Sequence, residues 1–351
     1  MKVILIVANG INCHWLGPYG NEWVLTPTFD RLASESIVFD RHFANQPGST
    51  KLLNACFPQI VFVDDRKSSP GDAPIGAQVF RTNPEASSDP RADLLAAIDK
   101  ALLVTADLLY IETDRLVPPW DFDFETYQQY AASSGGFVED RDADSEEPLD
   151  SPTPGPVNAR DLALWHRLHN SFAAAVTSFD AELQAILDLF RSRGLDRSAT
   201  WILNSGHGWP LGEHGIIGPS GSRAHVELVH LPLIIRLPEG REAMRRVSAF
   251  TQTSDLQLTL RELLTLNHEG HSVLSLITDH SRTIHEVCRI GPSIRTNEWA
   301  FLAADGDQLP RLYLKPDDIW EANDLAARYP DECDRLAALL QPDLGENNAV
   351  Q

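Results

Sequence analysis

The chain has 351 residues with 29 Lys and Arg against 50 Asp and Glu, a formal net charge of −21, and is 43% hydrophobic. Such a surface repels nucleic acid and anionic membranes at long range and does not help to gather anions. The length supports one large core plus a smaller unit. Four cysteines, Cys13, Cys56, Cys288 and Cys333, show no CxxC spacing. That pattern points away from a zinc knuckle or disulfide framework and toward reduced thiols. The opening MKVILIVANG lacks a signal-peptide cleavage site, and no apolar run is long enough for a bilayer. A cytoplasmic chain is therefore expected, with no nucleic-acid or membrane partner.

Val3–Ala8 is an unbroken aliphatic run, the pattern of a strand covered on both faces, and it stops at Asn9-Gly10. Thr26-Pro27 leads into a short helix, and Ile37–Phe39 begins a second strand. Ala44–Pro58 reads as a loop and a short helix, and Gln59–Asp64 as a strand. The dense Pro, Ser, Gly and Asp of residues 66–90 predict a long surface loop. Arg91–Leu103 has helical spacing and Ala106–Glu112 is a buried strand, followed by the Pro-rich Leu116–Trp120. The acidic stretch Gly135–Pro156 reads as an excursion or lid. Asp161–Arg193 is a long amphipathic helix, on which His166 and His169 share a face, as exposed histidines or as a ligand pair, the former being preferred.

Trp201–Gly215, WILNSGHGWPLGEHG, carries the densest set of candidate ligands. An apolar strand opens into Gly206, His207 and Gly208, then Gly212, Glu213, His214 and Gly215. Ligands of open α/β sheets bind just past the carboxyl ends of strands. Leu228–Leu237 is a further strand, and Pro232 suggests an irregular or edge position for it. Gln252–Leu266 is a helix capped by Thr253 or Ser254. Short strands follow at Ile284–Arg289, Ile294–Ala303 and Arg311–Leu314, and a closing helix at Asn323–Leu340. The expected fold is an α/β sandwich, a mostly parallel central sheet between helices, with a small antiparallel C-terminal subdomain. The expected boundaries are 1–280 and 281–351.

Several of these words resemble the type I sulfatases of the alkaline phosphatase superfamily: the first strand running into ANG, LGPYGNEWVLTPTFDRLASESIVFD, HGWPLGEHG, VELVHLPLIIRLP and PRLYLKPDDIWEANDLA. PPWDFDFETY and DLALWHRLHNSFAAAVTSFD are most similar to bacterial, planctomycete-like members. The resemblance implies a divalent cation, usually calcium, held by acidic residues at two strand ends. It also implies a Cys or Ser matured to formylglycine as nucleophile, with basic residues around the sulfate. At those positions this chain departs. Asn9 stands for an Asp, and His14 falls where a further Asp is common. Gly206 replaces the metal-binding Asp beside His207. With Pro47 on the motif proline, Asn45 takes the nucleophile's place and Ser49 that of the arginine. Leu116 or Val117 stands where a substrate-binding His is usual, and Arg223 is the residue that could substitute for a missing Lys.

Hard cations require several anionic oxygens, and an amide is a poor nucleophile. The expectation is a pseudo-sulfatase that has lost ester hydrolysis and persists as a binding or structural scaffold, with a small-molecule or sugar ligand and no cofactor. The residual family site comprises Asn45, His207 and His214 at catalytic positions, and Gly10, Ser49, Glu213 and Arg223 at substrate positions. Backbone amides after Asn9-Gly10 could still cradle an anion. The alternative is an active sulfuric- or phosphoric-ester hydrolase with a rebuilt metal site. Asn9, His14 and His207 are its candidate ligands, and convergence of His14, His207 and His214 would suit zinc better than calcium.

Overall fold

The structure, a computed structural model, describes residues 1–47, 57–67, 73–85, 87–134, 147–158, 160–279, 282–306 and 308–340. The chain begins with β1 (Val3–Ala8), α1 (Pro27–Ser34), β2 (Ile37–Phe43), β3 (Ile60–Asp65), β4 (Gln78–Arg81) and α2 (Pro90–Leu102). Next come β5 (Leu108–Thr113), α3 (Phe124–Ser134), β6 (Gly155–Pro156), α4 (Leu162–Ser192), α5 (Leu195–Ser198) and β7 (Thr200–Asn204). Then follow β8 (Ile216–Ile217), α6 (Val226–Val229), β9 (Leu233–Arg236), β10 (Arg245–Gln252), α7 (Thr253–Leu263) and α8 (Ser275–Thr278). The C-terminal part holds β11 (Cys288–Ile290), β12 (Ser293–Arg295), β13 (Trp299–Leu302), β14 (Arg311–Leu314) and α9 (Pro330–Leu340).

An eight-stranded sheet of order β10-β2-β9-β7-β1-β5-β3-β4 forms the core. Its pairings are parallel except those of β9, which runs antiparallel to β2 and β7. Alternation along β1 explains why every residue of that strand is apolar. Ile4, Ile6 and Ala8 pack on one side with residues of α1, α2 and α4. Val3, Leu5 and Val7 pack on the other with Leu256 and Leu260 of α7 and Leu276 and Ile277 of α8. Both faces lie under helices, so neither tolerates polar side chains. Helix α4 supplies much of the first layer through Leu168, Phe172, Val176, Phe179, Leu183, Leu187 and Phe190. Its Asp180 also serves α1, whose N-cap Thr26 makes no side-chain cap. The Asp180 carboxylate accepts from the backbone N–H groups of Thr28 and Phe29 at 3.0 Å, satisfying the free donors of that helix start.

A second, four-stranded antiparallel sheet, β11-β12-β13-β14, packs against α9 through Ile294, Phe301, Leu312 and Leu336. The N–H of Gly291 in its first hairpin donates to the Asn45 carbonyl at 3.1 Å, joining this sheet to the end of β2. Among the described residues no helix is long and apolar enough to cross a membrane. Cys13, Cys288 and Cys333 are free and buried, and Cys56 lies outside the described residues.

Local readings differ from the structure where pattern and context compete. The stretch 66–90 contains β4, paired with β3. Helix α3 and strand β10 escaped the sequence reading, and Leu228–Leu237 divides into α6 and β9. Strand β9 is interior, between β2 and β7. Pro232 immediately precedes it and offers its carbonyl to Asn204 Nδ2 at 2.8 Å, so its missing N–H interrupts no ladder bond. Gln252, rather than Thr253 or Ser254, caps α7, in a box whose return bond runs from Gln252 N to Asp255 at 2.7 Å. Ile294–Ala303 is a hairpin of two strands, and the final helix starts only at Pro330. His169 is buried rather than exposed, stacked on Trp165 with ring centroids 3.8 Å apart. The short helix expected within Ala44–Pro58 lies mostly outside the described residues.

Candidate functional site

Strands β1, β5 and β7 end side by side, with Ala8 opposite Thr113 and Val7 opposite Asn204. Asn9 follows β1 and is 1% exposed. Its Nδ2 donates to Glu112 Oε1 at 3.1 Å and Asp114 Oδ1 at 2.9 Å, and its Oδ1 accepts from the Gly206 N–H at 3.2 Å. Each acceptor and donor is matched in this orientation of the amide. Glu112 is the acid of a buried group: Tyr110 Oη donates to it at 2.6 Å, Arg66 lies 3.5 Å away, and burial raises its pKa. Behind it Arg115 bridges Asp65 at 3.0 Å and Glu182 at 3.5 Å. None of these carboxylates was marked by the sequence reading, because their partners lie scores of residues away along the chain.

At this rim the two positions that the resemblance gives to metal-binding acids, 9 and 206, carry no carboxylate, while Glu112 and Asp114 bring two carboxylates to Asn9. Asn9 aims a donor, not a lone pair, at the two nearby acids. Position 206 has no side chain, and His207 is buried with Nδ1 bonded to the Gly208 carbonyl at 2.8 Å. The backbone closes in as well. Gly10 N donates to the His207 carbonyl at 2.9 Å, and Gly208 N to that of Leu228 at 2.9 Å. A Cβ on Gly10 (φ +96°) would lie 2.2 Å from the Leu116 carbonyl oxygen, and one on Gly208 2.0 Å from that of Glu227. Gly208→Ala should therefore cost about 2–3 kcal/mol by forcing the chain apart at this point, a loss measurable as a lower urea midpoint at constant slope.

Asn45 acts as a connector. Its Oδ1 accepts from Thr253 Oγ1 at 2.7 Å and Ser254 N at 2.6 Å, at the start of α7. Arg223 spends its guanidinium on backbone carbonyls, those of Leu309 at 2.9 Å, Leu302 at 2.8 Å and Ala303 at 2.5 Å. Ser49 lies outside the described residues.

Two cavities open at the loop after β7, and neither is lined by Asn9, Glu112 or Asp114. The first, of about 620 Å³, is walled by Trp15, Trp23, Trp165 and Trp320, with His14 and Glu213 among its polar groups. His14 meets Trp320 edge-on at 4.5 Å, and burial holds its pKa down to about 3. Glu213 Oε2 accepts from Leu211 N at 2.6 Å; burial, reinforced by Glu227, pushes its pKa up to about 7. The second cavity, of about 500 Å³, is bordered by Arg223, His225 and Asp324. His214, Glu227 and Arg311 border both.

Between the cavities His214 Nδ1 lies 2.7 Å from Glu227 Oε1, and His214 Nε2 lies 3.0 Å from the Glu321 carbonyl oxygen. The rings of His214 and His225 stack with centroids 3.6 Å apart. Burial alone would lower the His214 pKa, but the Glu227 carboxylate outweighs it and the value is about 9. Glu321 is fully enclosed by Arg295 at 3.1 Å, Lys315 at 3.3 Å and His225 at 2.9 Å, which together hold its pKa far below the usual range despite burial. His14, His207 and His214 do not converge. Among the described residues the group within reach of one ion is His214, His225 and Glu227. His225 and Glu227 flank Val226 at the start of α6, a spacing too common in sequences to stand out.

Residues 120–266 match the Sulfatase family model. No curated protein sequence matches the chain. Similar solved structures include the phosphonate monoester hydrolase of Agrobacterium radiobacter, with TM-score 0.68 and 18% identity over 97% of this chain and 94% of that one. BT4656, solved with its substrate D-glucosamine-2-N,6-O-disulfate, aligns with TM-score 0.68 and 13% identity over 97% and 96%. BT1596, a 2-O glycosaminoglycan sulfatase, aligns with TM-score 0.66 and 15% identity over 97% and 90%. In its fold and in the segment the family model matches, this chain resembles the type I sulfatases of the alkaline phosphatase superfamily.

Proposed function

We propose that this protein has lost sulfate-ester hydrolysis and acts as a sulfatase-fold scaffold that binds a sugar or similar small polar ligand in its tryptophan-lined cavity. The observation that carries the first half is the bonding of Asn9, whose amide donates to Glu112 and Asp114 and accepts from Gly206, so that a neutral donor occupies the place between these acids where a cation would sit. Asn45, at the nucleophile's position, is an amide engaged with α7. The second half is supported by the cavity. Trp320 is 55% exposed and Trp165 38%, so broad aromatic faces stand open to a ligand. Glu213 and Glu227 add carboxylate oxygens to the lining, and the amides of Asn12 and Asn21 are bonded within the protein. Such a mixture suits a ring with apolar faces and polar edges. One structural neighbour holds a sulfated amino sugar. Here Arg311 is the one Lys or Arg among the described lining residues, and the net charge of −21 favours a neutral or amino sugar over a sulfated one.

The test pairs turnover with binding. Aryl sulfates and aryl phosphates should not be hydrolysed with added calcium or zinc. A panel of neutral, amino and sulfated sugars should give saturable binding, about tenfold weaker in Trp165→Ala. Turnover that tracks the purified chain and vanishes on substitution at the site would overturn the reading in favour of an active hydrolase with a rebuilt metal site. Absence of binding across the panel would remove the sugar assignment.

A further inference from the structure

We infer that the ligand of the tryptophan-walled cavity is an organic ammonium cation, held by the tryptophan rings with Glu213 as its counter-charge. Trp15, Trp23, Trp165 and Trp320 line one cavity of about 620 Å³. An aromatic ring attracts a cation through its quadrupole, tryptophan most strongly, and the attraction grows where water is displaced. Their neighbours set these rings in place: Trp15 lies 4.8 Å from Phe172, Trp165 3.8 Å from the His169 ring, and Trp320 4.5 Å from that of His14. Rings positioned in advance lose little freedom when a ligand enters. The inference rests on the reading of this cavity as the ligand site and narrows its ligand to one with a charged nitrogen.

Glu213 supplies the charge. Its Oε2 accepts from Leu211 N at 2.6 Å, and its Oε1 lies 3.9 Å from His169 Nε2. His169 brings no positive charge at neutral pH: its Nδ1 meets the Trp165 carbonyl at 2.8 Å, and burial lowers its pKa to about 4. His14, held down to about 3, is neutral as well. The other carboxylates of the lining have partners, Glu227 in His214 at 2.7 Å and Glu321 in Arg295 at 3.1 Å and Lys315 at 3.3 Å. Arg311 lies beside Asp324 at 3.8 Å. Among the described residues no Lys or Arg pairs with Glu213, so it is the acid of this cavity that lacks a cation. The net charge of −21 draws cations toward the protein. The competing account is a Glu213 that keeps its proton beside a neutral ligand, which predicts no preference for charge.

The experiment is calorimetry on the full chain at pH 7, with each cation beside a neutral counterpart of similar shape: tetramethylammonium with tert-butanol, and glucosamine with glucose. In at least one pair the cation should bind about tenfold more tightly. The first pair reads a quaternary head group and the second an amino sugar. Glu213→Gln should shrink the preference to about twofold. Wild-type protein gives a second readout. Burial and Glu227 set the Glu213 pKa at about 7, so affinity for the permanently charged tetramethylammonium should rise about tenfold from pH 6 to pH 8 as Glu213 ionises. Of the groups facing it, His214, at about 9, stays protonated over this range and His169, at about 4, stays neutral; Glu227 remains beside His214 and Arg311 beside Asp324. Equal affinity within both pairs, a preference that survives Glu213→Gln, or a flat pH profile would overturn the inference. Glucose binding as tightly as glucosamine, with no gain for tetramethylammonium, would do so and leave the sugar site standing. Binding of none of the four would remove the site as well.

Discussion

Lowering the pH from 6.5 to 5 should destabilise the protein by about 4 kcal/mol, with histidines and not carboxylates as the cause. Burial holds His14 and His42 down to about 3, and His169 and His230 down to about 4, against an ordinary 6.5. Between pH 6.5 and 4 the unfolded chain binds four protons that the folded chain refuses. Stability therefore falls with falling pH by about 1.4 kcal/mol per group and pH unit. Lowered values at His207 and His225 act in the same sense. Glu182 and Glu213 act oppositely: burial lifts each to about 7, so the folded state binds their protons first as pH falls, and burial raises Asp65, Glu112 and Asp180 in the same sense. Among the groups with the largest shifts, four against two leave a net loss of about 4 kcal/mol, a large fraction of the ~5–15 kcal/mol stability of a domain. Above neutrality the sign reverses. His214, raised to about 9, contributes stability that is present below pH 6.5 and lost as the pH climbs through 9. Urea midpoints across pH 5 to 9 should peak near neutrality. A profile flat down to pH 4.5 would show that these imidazoles stay charged in the native state.

Placing an acid at position 9 should harm the fold by about 3–5 kcal/mol. Asn9→Asp alters little in shape, yet it removes a donor from Glu112 and Asp114 and puts a third carboxylate between them, in a place that is 1% exposed. An unpaired buried charge costs far more than the lost hydrogen bond. Denaturant titration with and without millimolar calcium measures both parts of the claim. The wild-type midpoint should ignore calcium, and any calcium-dependent gain should be confined to the variant. A variant as stable as wild type without calcium would mean that the amide is not what neutralises this rim.

The apolar run Val3–Ala8, the spacing of Leu164 to Phe190 and the Gly-bounded WILNSGHGWPLGEHG determined by themselves an α/β sandwich with polar strand ends at one rim. Burial of whole strands and long helix faces leaves its mark in local periodicity. That Asn9 and Gly206 carry no carboxylate was equally legible, since it is a matter of residue type. What Asn9 does there was not. Its partners Glu112 and Asp114 are brought to it by the pairing of β1 with β5, and no local pattern announces a parallel neighbour. The same holds for the tryptophan-walled cavity, whose Trp15, Trp165 and Trp320 come from three distant segments. It holds too for His214, His225 and Glu227, which become neighbours only when α6 folds back against the turn after β7 and Glu321 closes over them. Backbone propensity and hydrophobic pattern act over a few residues and are written along the chain. Charge compensation and ligand geometry act across space, so only the tertiary structure decided them.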